Sequence, residues 1–191
     1  MDSLIKMDTG IKMSQGKLLI SEPLMQDDNF HKAVIFLCYQ TKNESLGFIL
    51  NKRAEQLLNF YIDDVLSLDF PVYIGGPIEQ EMLHFIHSVP EIAGGEKITE
   101  NIYWSGDVEQ IVEGIKIGKV TTDNCKFFIG YSGWGMGQLE AELDMNAWLV
   151  AQSSLKLVFN TPEKTLWNEA VISLGKNYST LLFMPDKPEL N

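Results

Sequence analysis

The residues best suited to chemistry lie in one glycine-rich segment, from Gly130 to Glu140. Four glycines fall within eight residues there, a strand-like apolar run precedes them, and a helix-like pattern follows. A strand, a glycine loop and a helix in this order build the phosphate cradles of nucleotide-binding proteins and the nucleophile elbows of hydrolases. The segment therefore raises two chemical hypotheses, phosphate binding and nucleophilic catalysis by Ser132.

The residues that end the glycine segment argue against a phosphate cradle. A Walker loop ends in Gly-Lys-Ser or Gly-Lys-Thr, whereas Gly137 is followed here by Gln138 and Leu139. Glu140 and Glu142 fall in the first turns of the expected helix, where acidic side chains complement the helix dipole but repel a bound phosphate. A nucleotide or phosphate binder with its site at this loop remains an alternative.

The surroundings of Ser132 also depart from those of a hydrolase nucleophile. The elbow motif is Gly-x-Ser-x-Gly, and Trp134 occupies the position of the last glycine. All the histidines precede Ser132, whereas the hydrolase order places the histidine last. A hydrolase-like enzyme remains an alternative, and we assign no catalytic residue. The favoured interpretation is a turn anchored by Trp134, with a candidate ligand or partner surface at Tyr131, Ser132, Trp134, Gln138 and Glu140.

The histidine spacing gives no support to a metal site. His84 and His87 lie three residues apart, and this spacing on a strand places them on opposite faces. We expect His87 to be partly buried and to hold a hydrogen bond, and we expect no metal and no cofactor. The remaining residues singled out here are expected to be structural, since they make turns or let backbones approach closely: Gly75, Gly76, Pro77, Gly130 and Gly133.

The composition restricts the partners. The chain has 191 residues, a formal net charge of −11 and one arginine, Arg53. The composition therefore disfavours direct nucleic-acid binding, because such binding depends on cations that neutralise phosphates. Cys38 and Cys125 lie in apolar runs and are expected to be free buried thiols, and no run is long enough to span a membrane. We expect a cytoplasmic protein with an unknown protein or small-molecule partner.

Apolar patterning predicts an α+β fold with a mixed or antiparallel sheet. The expected domain covers residues 16–184, preceded by an arm at 1–15 and followed by a loose tail at 185–191. Helices are expected at 57–68, at 108–115 with Asp107 as the N-cap, and from Thr161, as the N-cap, to Gly175. Strands are expected at 17–21, 33–39, 46–50, 71–74, 82–89, 98–103, 125–129 and 155–159.

Several of these segments together resemble the YqgE/AlgH family of bacterial proteins. The strongest match is the run from Phe128 to Glu140, together with Glu142 and Trp148. The similarity extends over about residues 16–176 with its spacing preserved, and it includes the segments Leu18–Phe30, Val34–Cys38, Gly47–Asn51, Val72–Pro77, Leu83–His87 and Trp167–Gly175.

The resemblance implies a largely antiparallel bent sheet wrapped into a pseudo-barrel with flanking helices. The family carries a provisional label as transcriptional regulators, and no biochemical activity is established for it, so it supplies no catalytic residues. Ser132 stands where the family commonly has alanine, and this exchange weakens the nucleophile hypothesis because a catalytic serine cannot be replaced by alanine.

Overall fold

The computed structural model describes residues 8–63 and 69–184. Within them the helices are α1 (Pro90–Ala93), α2 (Val108–Lys116), α3 (Gln138–Asp144) and α4 (Glu163–Ser173). The strands are β1 (Lys17–Ser21), β2 (Val34–Gln40), β3 (Glu44–Ile49), β4 (Arg53–Leu57), β5 (Pro71–Ile74), β6 (Ile78–His87), β7 (Glu96–Lys97), β8 (Tyr103–Trp104), β9 (Cys125–Gly135) and β10 (Trp148–Gln152).

The strands form one sheet that curls into a half-barrel. Its main path runs β10-β1-β2-β3-β9-β6-β8-β7, and β5 joins β9 at the side with β4 beyond it. The pairing of β5 with β9 is parallel, and the other described pairings are antiparallel. This confirms the expected α+β fold with a mixed, largely antiparallel bent sheet.

Buried apolar side chains cover both faces of the sheet. The largest cluster collects residues from both halves of the sheet and from α4, so it fills the inside of the curl. A second cluster lies between the outer face and α1 and α2. A third joins the outer faces of β1, β2 and β10 to α3. The sheet is therefore a central layer that helices cover on both sides.

The glycine segment is mostly strand, and the prediction of a loop there is wrong. β9 continues from Cys125 through the glycines to Gly135, and α3 begins three residues later. The segment stays in the sheet because β3 pairs with its last residues and β6 pairs with its first part. Glycine lowers strand propensity, but ladder hydrogen bonds to β3 and β6 and close backbone packing outweigh that cost here.

Gly130 is the point where β9 changes its alternation. Its φ of 64° lies in the left-handed region, and the pairing with β6 is irregular at this position. Before it, Phe128 faces the inside of the curl, and after it Tyr131 also packs against that same cluster. A strand without a bulge would send Tyr131 to the other face, so the bulge determines which side chains line the interior.

The structure confirms the predicted cap of α2 and corrects the strand predicted at 155–159. Asp107 caps α2 as predicted, since its Oδ1 accepts from the N–H groups of Glu109 at 3.0 Å and Gln110 at 3.1 Å. The strand expected at 155–159 is wrong, because Lys156–Asn160 form a π-helical turn. A short apolar run does not distinguish a buried strand from a buried helical turn.

The boundaries of the other predicted elements also shift. Thr161 does not cap α4, because its hydroxyl donates to the Lys156 carbonyl at 2.9 Å and Pro162 holds the N-cap position. The helix expected at 57–68 is a strand end followed by one 3-10 turn, Leu58–Phe60, and residues 64–68 lie outside the described residues. The strand expected at 98–103 is reduced to the short β8.

The expected arm and tail are only partly described. Residues 1–7 and 185–191 lie outside the described residues, and residues 8–15 hold no helix or strand. The Thr9 hydroxyl donates to the Val150 carbonyl at 2.7 Å, and Ile11 and Met13 pack on the outer cluster beneath α3. None of the helices in the described parts of the chain has the length and apolar character needed to cross a membrane.

One lysine is buried among these apolar layers. Lys126 is 4% exposed, its Nζ donates to the Leu50 carbonyl at 3.3 Å, and it lies 4.4 Å above the Tyr73 ring. Burial lowers the pKa of Lys126 to about 8, and the negative charge of Glu163 opposes that change. The charged lysine is therefore held by one carbonyl and one ring face at a cost in desolvation.

We expect Lys126 to make stability depend on alkaline pH. Its folded pKa lies below its unfolded value, so the unfolded chain binds more protons between the two, and the penalty present below about pH 8 disappears as the pH rises. The wild type should gain about 2 kcal/mol relative to Lys126→Met between about pH 7 and about pH 10. Urea unfolding of both proteins across this range measures the difference, and parallel curves would contradict the prediction.

We expect Gly130→Ala to destabilise the protein far more than Gly137→Ala. Both glycines have positive φ, but a Cβ at Gly130 would lie 2.7 Å from two carbonyl oxygens, whereas nothing lies within 4 Å of one at Gly137. Gly137→Ala should cost about 1 kcal/mol from backbone strain alone, and Gly130→Ala about 3 kcal/mol or more. Urea unfolding compares the two variants, and equal losses would show that the bulge tolerates a side chain.

Candidate functional site

A cleft of about 610 Å³ opens at one end of the curl. Its walls are partly apolar and partly polar, and they come from six strands, from the turn between β2 and β3 and from the start of α3. Aromatic side chains, two carboxylates, two amides and glycine backbone face it, from Tyr39, Asn43, Glu44, Ser45, Leu46, Ile78, Glu96, Trp104, Tyr131, Gly133, Trp134, Gly135 and Gln138.

Two irregularities in the sheet turn tyrosines toward this cleft. The bulge at Gly130 directs Tyr131 inward. A second register shift lies between Leu37 and Tyr39, after which Tyr39 stands opposite Leu46. Directly opposed residues of an antiparallel pair share a face, so Tyr39 joins Leu46 on the inner side. Both aromatic walls therefore depend on local breaks in strand alternation.

The short hairpin of β7 and β8 supplies the third wall. Glu96 stands opposite Trp104 in the β7–β8 pairing. Because opposed side chains project on the same side, one carboxylate and one indole reach the cleft together. The Trp104 ring packs edge-on against Phe48, with ring centres 6.0 Å apart, and this contact fixes its orientation.

His84 lies beneath the aromatic walls. Its ring centre is 6.1 Å from that of Tyr131 and 6.4 Å from that of Trp104. Its Nε2 is buried and has no hydrogen-bond partner within the described parts of the chain. Burial lowers the pKa of His84, and the charge of Glu79 acts in the opposite direction. The imidazole is therefore neutral near physiological pH and packs as a ring against the two aromatic residues that line the cleft.

The structure separates the residues that the sequence grouped as one surface. Tyr131 and Gln138 line the cleft, whereas Glu140 is exposed on α3 away from it. Ser132 is completely buried, and its hydroxyl donates to the Gly75 carbonyl at 3.0 Å. Trp134 borders the cleft, but its ring is buried on the outer face, 6.1 Å from the ring of Trp148.

The position of Ser132 opposes a role as a nucleophile. A catalytic serine needs an accessible hydroxyl that is hydrogen-bonded to a base. The Ser132 hydroxyl is enclosed and hydrogen-bonds to a backbone carbonyl. The geometry therefore gives this side chain a structural partner in the core of the sheet.

Glu142 joins the glycine segment to the rest of the outer face. Its Oε2 accepts from the indole N–H of Trp134 at 2.9 Å and from that of Trp148 at 2.7 Å. Its Oε1 accepts from the Gln138 amide at 2.9 Å, and the Gln138 oxygen accepts from the Gly135 N–H at 3.1 Å. This chain of hydrogen bonds fixes Gln138 at the rim of the cleft. The sequence shows only an acidic residue near two tryptophans, and this pattern does not predict that both indoles donate to the same carboxylate.

The glycines after β5 lie directly against β9. A Cβ at Gly75 would be 2.3 Å from the Gly130 oxygen, and one at Gly76 would be 2.2 Å from the Tyr131 carbonyl. Gly133 leaves room between Ile78 and Tyr131, where a Cβ would meet side-chain carbons at 3.0 and 3.1 Å. These contacts require glycine for space as well as for conformation.

His87 and Pro77 lie outside the cleft lining. His87 is completely buried, its Nε2 lies 3.0 Å from the Ser105 carbonyl, and its Nδ1 accepts from the Val89 N–H at 3.2 Å. Nε2 therefore carries the proton, and burial lowers the pKa of the ring. Pro77 is exposed in the turn that leads into β6. Within the described residues, no group of three or more His, Cys, Asp or Glu side chains is placed to hold a metal ion.

Comparison with known proteins identifies the family. A sequence profile described as AlgH-like matches residues 18–179. The chain belongs to the AlgH-like family. A protein named UPF0301 from Cytophaga hutchinsonii is 34% identical over 181 residues, which cover 94% of this chain and 100% of that protein. Another from Bacteroides fragilis is 36% identical over 179 residues, which cover 93% and 91% of the two chains.

Two solved structures share this fold. The AlgH protein from Pseudomonas aeruginosa matches with a TM-score of 0.67 and 24% identity, over 92% of this chain and 98% of that one. A protein from Corynebacterium diphtheriae matches with a TM-score of 0.77 and 16% identity, over 91% and 94%. The resemblance found in the glycine segment is confirmed, and these structures carry the fold alone.

We expect Glu142→Ala to destabilise the protein by about 2–4 kcal/mol. The change leaves two buried indole N–H groups without an acceptor, and each such group costs about 1–3 kcal/mol. Glu140→Ala on the same helix is the control and should change stability by less than about 0.5 kcal/mol, because that side chain is exposed. Urea unfolding followed by tryptophan fluorescence measures both, and equal losses would contradict the role given to Glu142.

Proposed function

We propose that this chain is a cytoplasmic binding protein that takes a small ligand into the cleft and acts without catalysis. The observation that carries this proposal is the cleft itself. Its volume of about 610 Å³ lies within the range of small-molecule sites, and aromatic walls with a few convergent polar groups are the usual composition of such sites.

The chemistry of the lining supports binding over turnover. The charged side chains at the cleft are the carboxylates of Glu44 and Glu96. The serine of the glycine segment hydrogen-bonds on the opposite side of β9. Acidic side chains also disfavour phosphates and nucleotides by charge repulsion. The nucleotide alternative therefore has less support than a ligand without negative charge.

A regulatory role in transcription would pass through this ligand or through a protein partner. The net charge of −11 opposes binding to nucleic acid, which gains its affinity from neutralised phosphates. Arginine, the commonest reader of guanine, occurs once in the chain. The proposal is thus a sensor or carrier whose output does not depend on base readout.

A metabolite screen tests the proposal. We expect at least one neutral or cationic compound to raise the melting temperature of the wild type and to be recovered unchanged. At a hundredfold excess of the compound over its Kd, the free energy of unfolding should rise by about 2.7 kcal/mol. Trp104→Leu should abolish the response, because it removes one wall. Phe183→Ala, at a ring that is 86% exposed elsewhere, is the matched control and should retain it.

Three results would contradict the proposal. The first is binding that persists in Trp104→Leu, which would place the site elsewhere. The second is chemical conversion of the bound compound, which would make the chain an enzyme. The third is a tight, sequence-specific mobility shift of DNA at physiological salt, which would show direct readout.

A further inference from the structure

We infer that the ligand of this cleft is a small organic cation of the alkylammonium class. The inference rests on the proposed function, since it names the chemistry of the ligand that the same cleft would hold. It follows from the charges at the rim, from the aromatic walls and from the neutral histidine beneath them.

The charges at the cleft are all negative. Glu44 enters from the start of β3 and Glu96 from β7, so they approach from opposite sides of the curl. No lysine or arginine is among the described residues that line the cleft. Burial first, and then the charges of Glu79 and Glu44, raise the pKa of the Tyr131 hydroxyl. The negative field thus reaches the aromatic wall, where it attracts a cation and repels an anion.

The walls present the rings that bind organic cations best. Tyr39, Trp104 and Tyr131 come from β2, β8 and β9, three strands that surround the cleft. Trp and Tyr faces attract ammonium groups through the ring quadrupole, and several such faces around one space form the aromatic cage that recognises alkylated ammonium ions. An inorganic cation would instead require a close set of ligands, and no group of three or more His, Cys, Asp or Glu side chains in the described parts of the chain is placed to hold one.

The histidine behind the aromatic walls adds no positive charge. His84 packs beneath Tyr131 and Trp104, and it is neutral because burial lowers its pKa. Glu79 is the nearby charge that acts on His84, and it is negative. A protonated imidazole at this place would repel a cationic ligand, and burial against rings such as that of Phe48, 5.3 Å away, favours the neutral form.

Choline and its neutral carbon isostere, 3,3-dimethylbutan-1-ol, test the charge directly. Titration of the ¹⁵N-labelled full chain should shift the Trp104 indole N–H, assigned with Trp104→Phe, together with the amides of Tyr131 and Gly133. Choline and tetramethylammonium should bind at least about tenfold more tightly than the isostere. Choline affinity should fall as the salt concentration rises.

Charge-neutral variants test the two carboxylates. Glu44→Gln and Glu96→Gln should each weaken choline binding by about fivefold, because each removes one negative charge and keeps the shape of the side chain. Glu140→Gln removes an equal charge from an exposed position on α3 and should leave binding unchanged. Folding of each variant is checked by its unperturbed spectrum without ligand.

The outcomes separate this inference from the proposed function. If the isostere binds as tightly as choline, or if neither glutamine variant weakens binding, the cation inference is wrong while the cleft remains a ligand site. If methylguanidine binds more tightly than choline, the alkylammonium class is wrong. If neither choline nor the isostere shifts cleft resonances at millimolar concentration, and the metabolite screen also leaves them unchanged, both the inference and the proposed function fail.

Discussion

The rest of the structure depends on the close backbone contact between β9 and the turn that follows β5. The Gly75 N–H donates to the Ile129 carbonyl at 2.9 Å, and the Gly75 carbonyl accepts from the Ile49 N–H and from the Ser132 hydroxyl. One residue thus joins β3, β5 and β9, the strands at the centre of the curl. A side chain at Gly75 would meet the Gly130 oxygen at 2.3 Å, so this junction requires glycine.

The cleft follows from this junction. On one edge, β9 leaves β5 and continues along β3, and on the other edge it passes the bulge at Gly130 beside β6. The change of alternation places Tyr131 inside the curl while Ser132 and Trp134 face the opposite side. Ser132, the residue that most suggested catalysis, is thereby used as a hydrogen-bond donor at the junction. Glu142 fixes the far end of the same segment through its two tryptophans.

The sequence predicted the fold class and the cap of α2 because those depend on local patterns and on the resemblance to a known family. It did not predict that β9 runs through the glycines, since glycine content favours a turn and only pairing with distant strands keeps the segment extended. The sequence did not predict the cleft either, for a related reason. Tyr39, Glu96 and Trp104 lie far apart in the chain, and no spacing indicates that a bulge and a hairpin bring them to Tyr131.

Amide hydrogen exchange across β9 measures the central claim most directly, namely that the glycine segment is a packed strand and not an exposed loop. The account predicts that the paired amides of residues 127–134, together with the amide of Gly75, exchange only through global unfolding, as core strands do. Exchange of residues 130–134 at the rate of an open loop, with the rest of β9 protected, would contradict it. That result would show that the segment is a mobile loop, which could then present binding or catalytic residues.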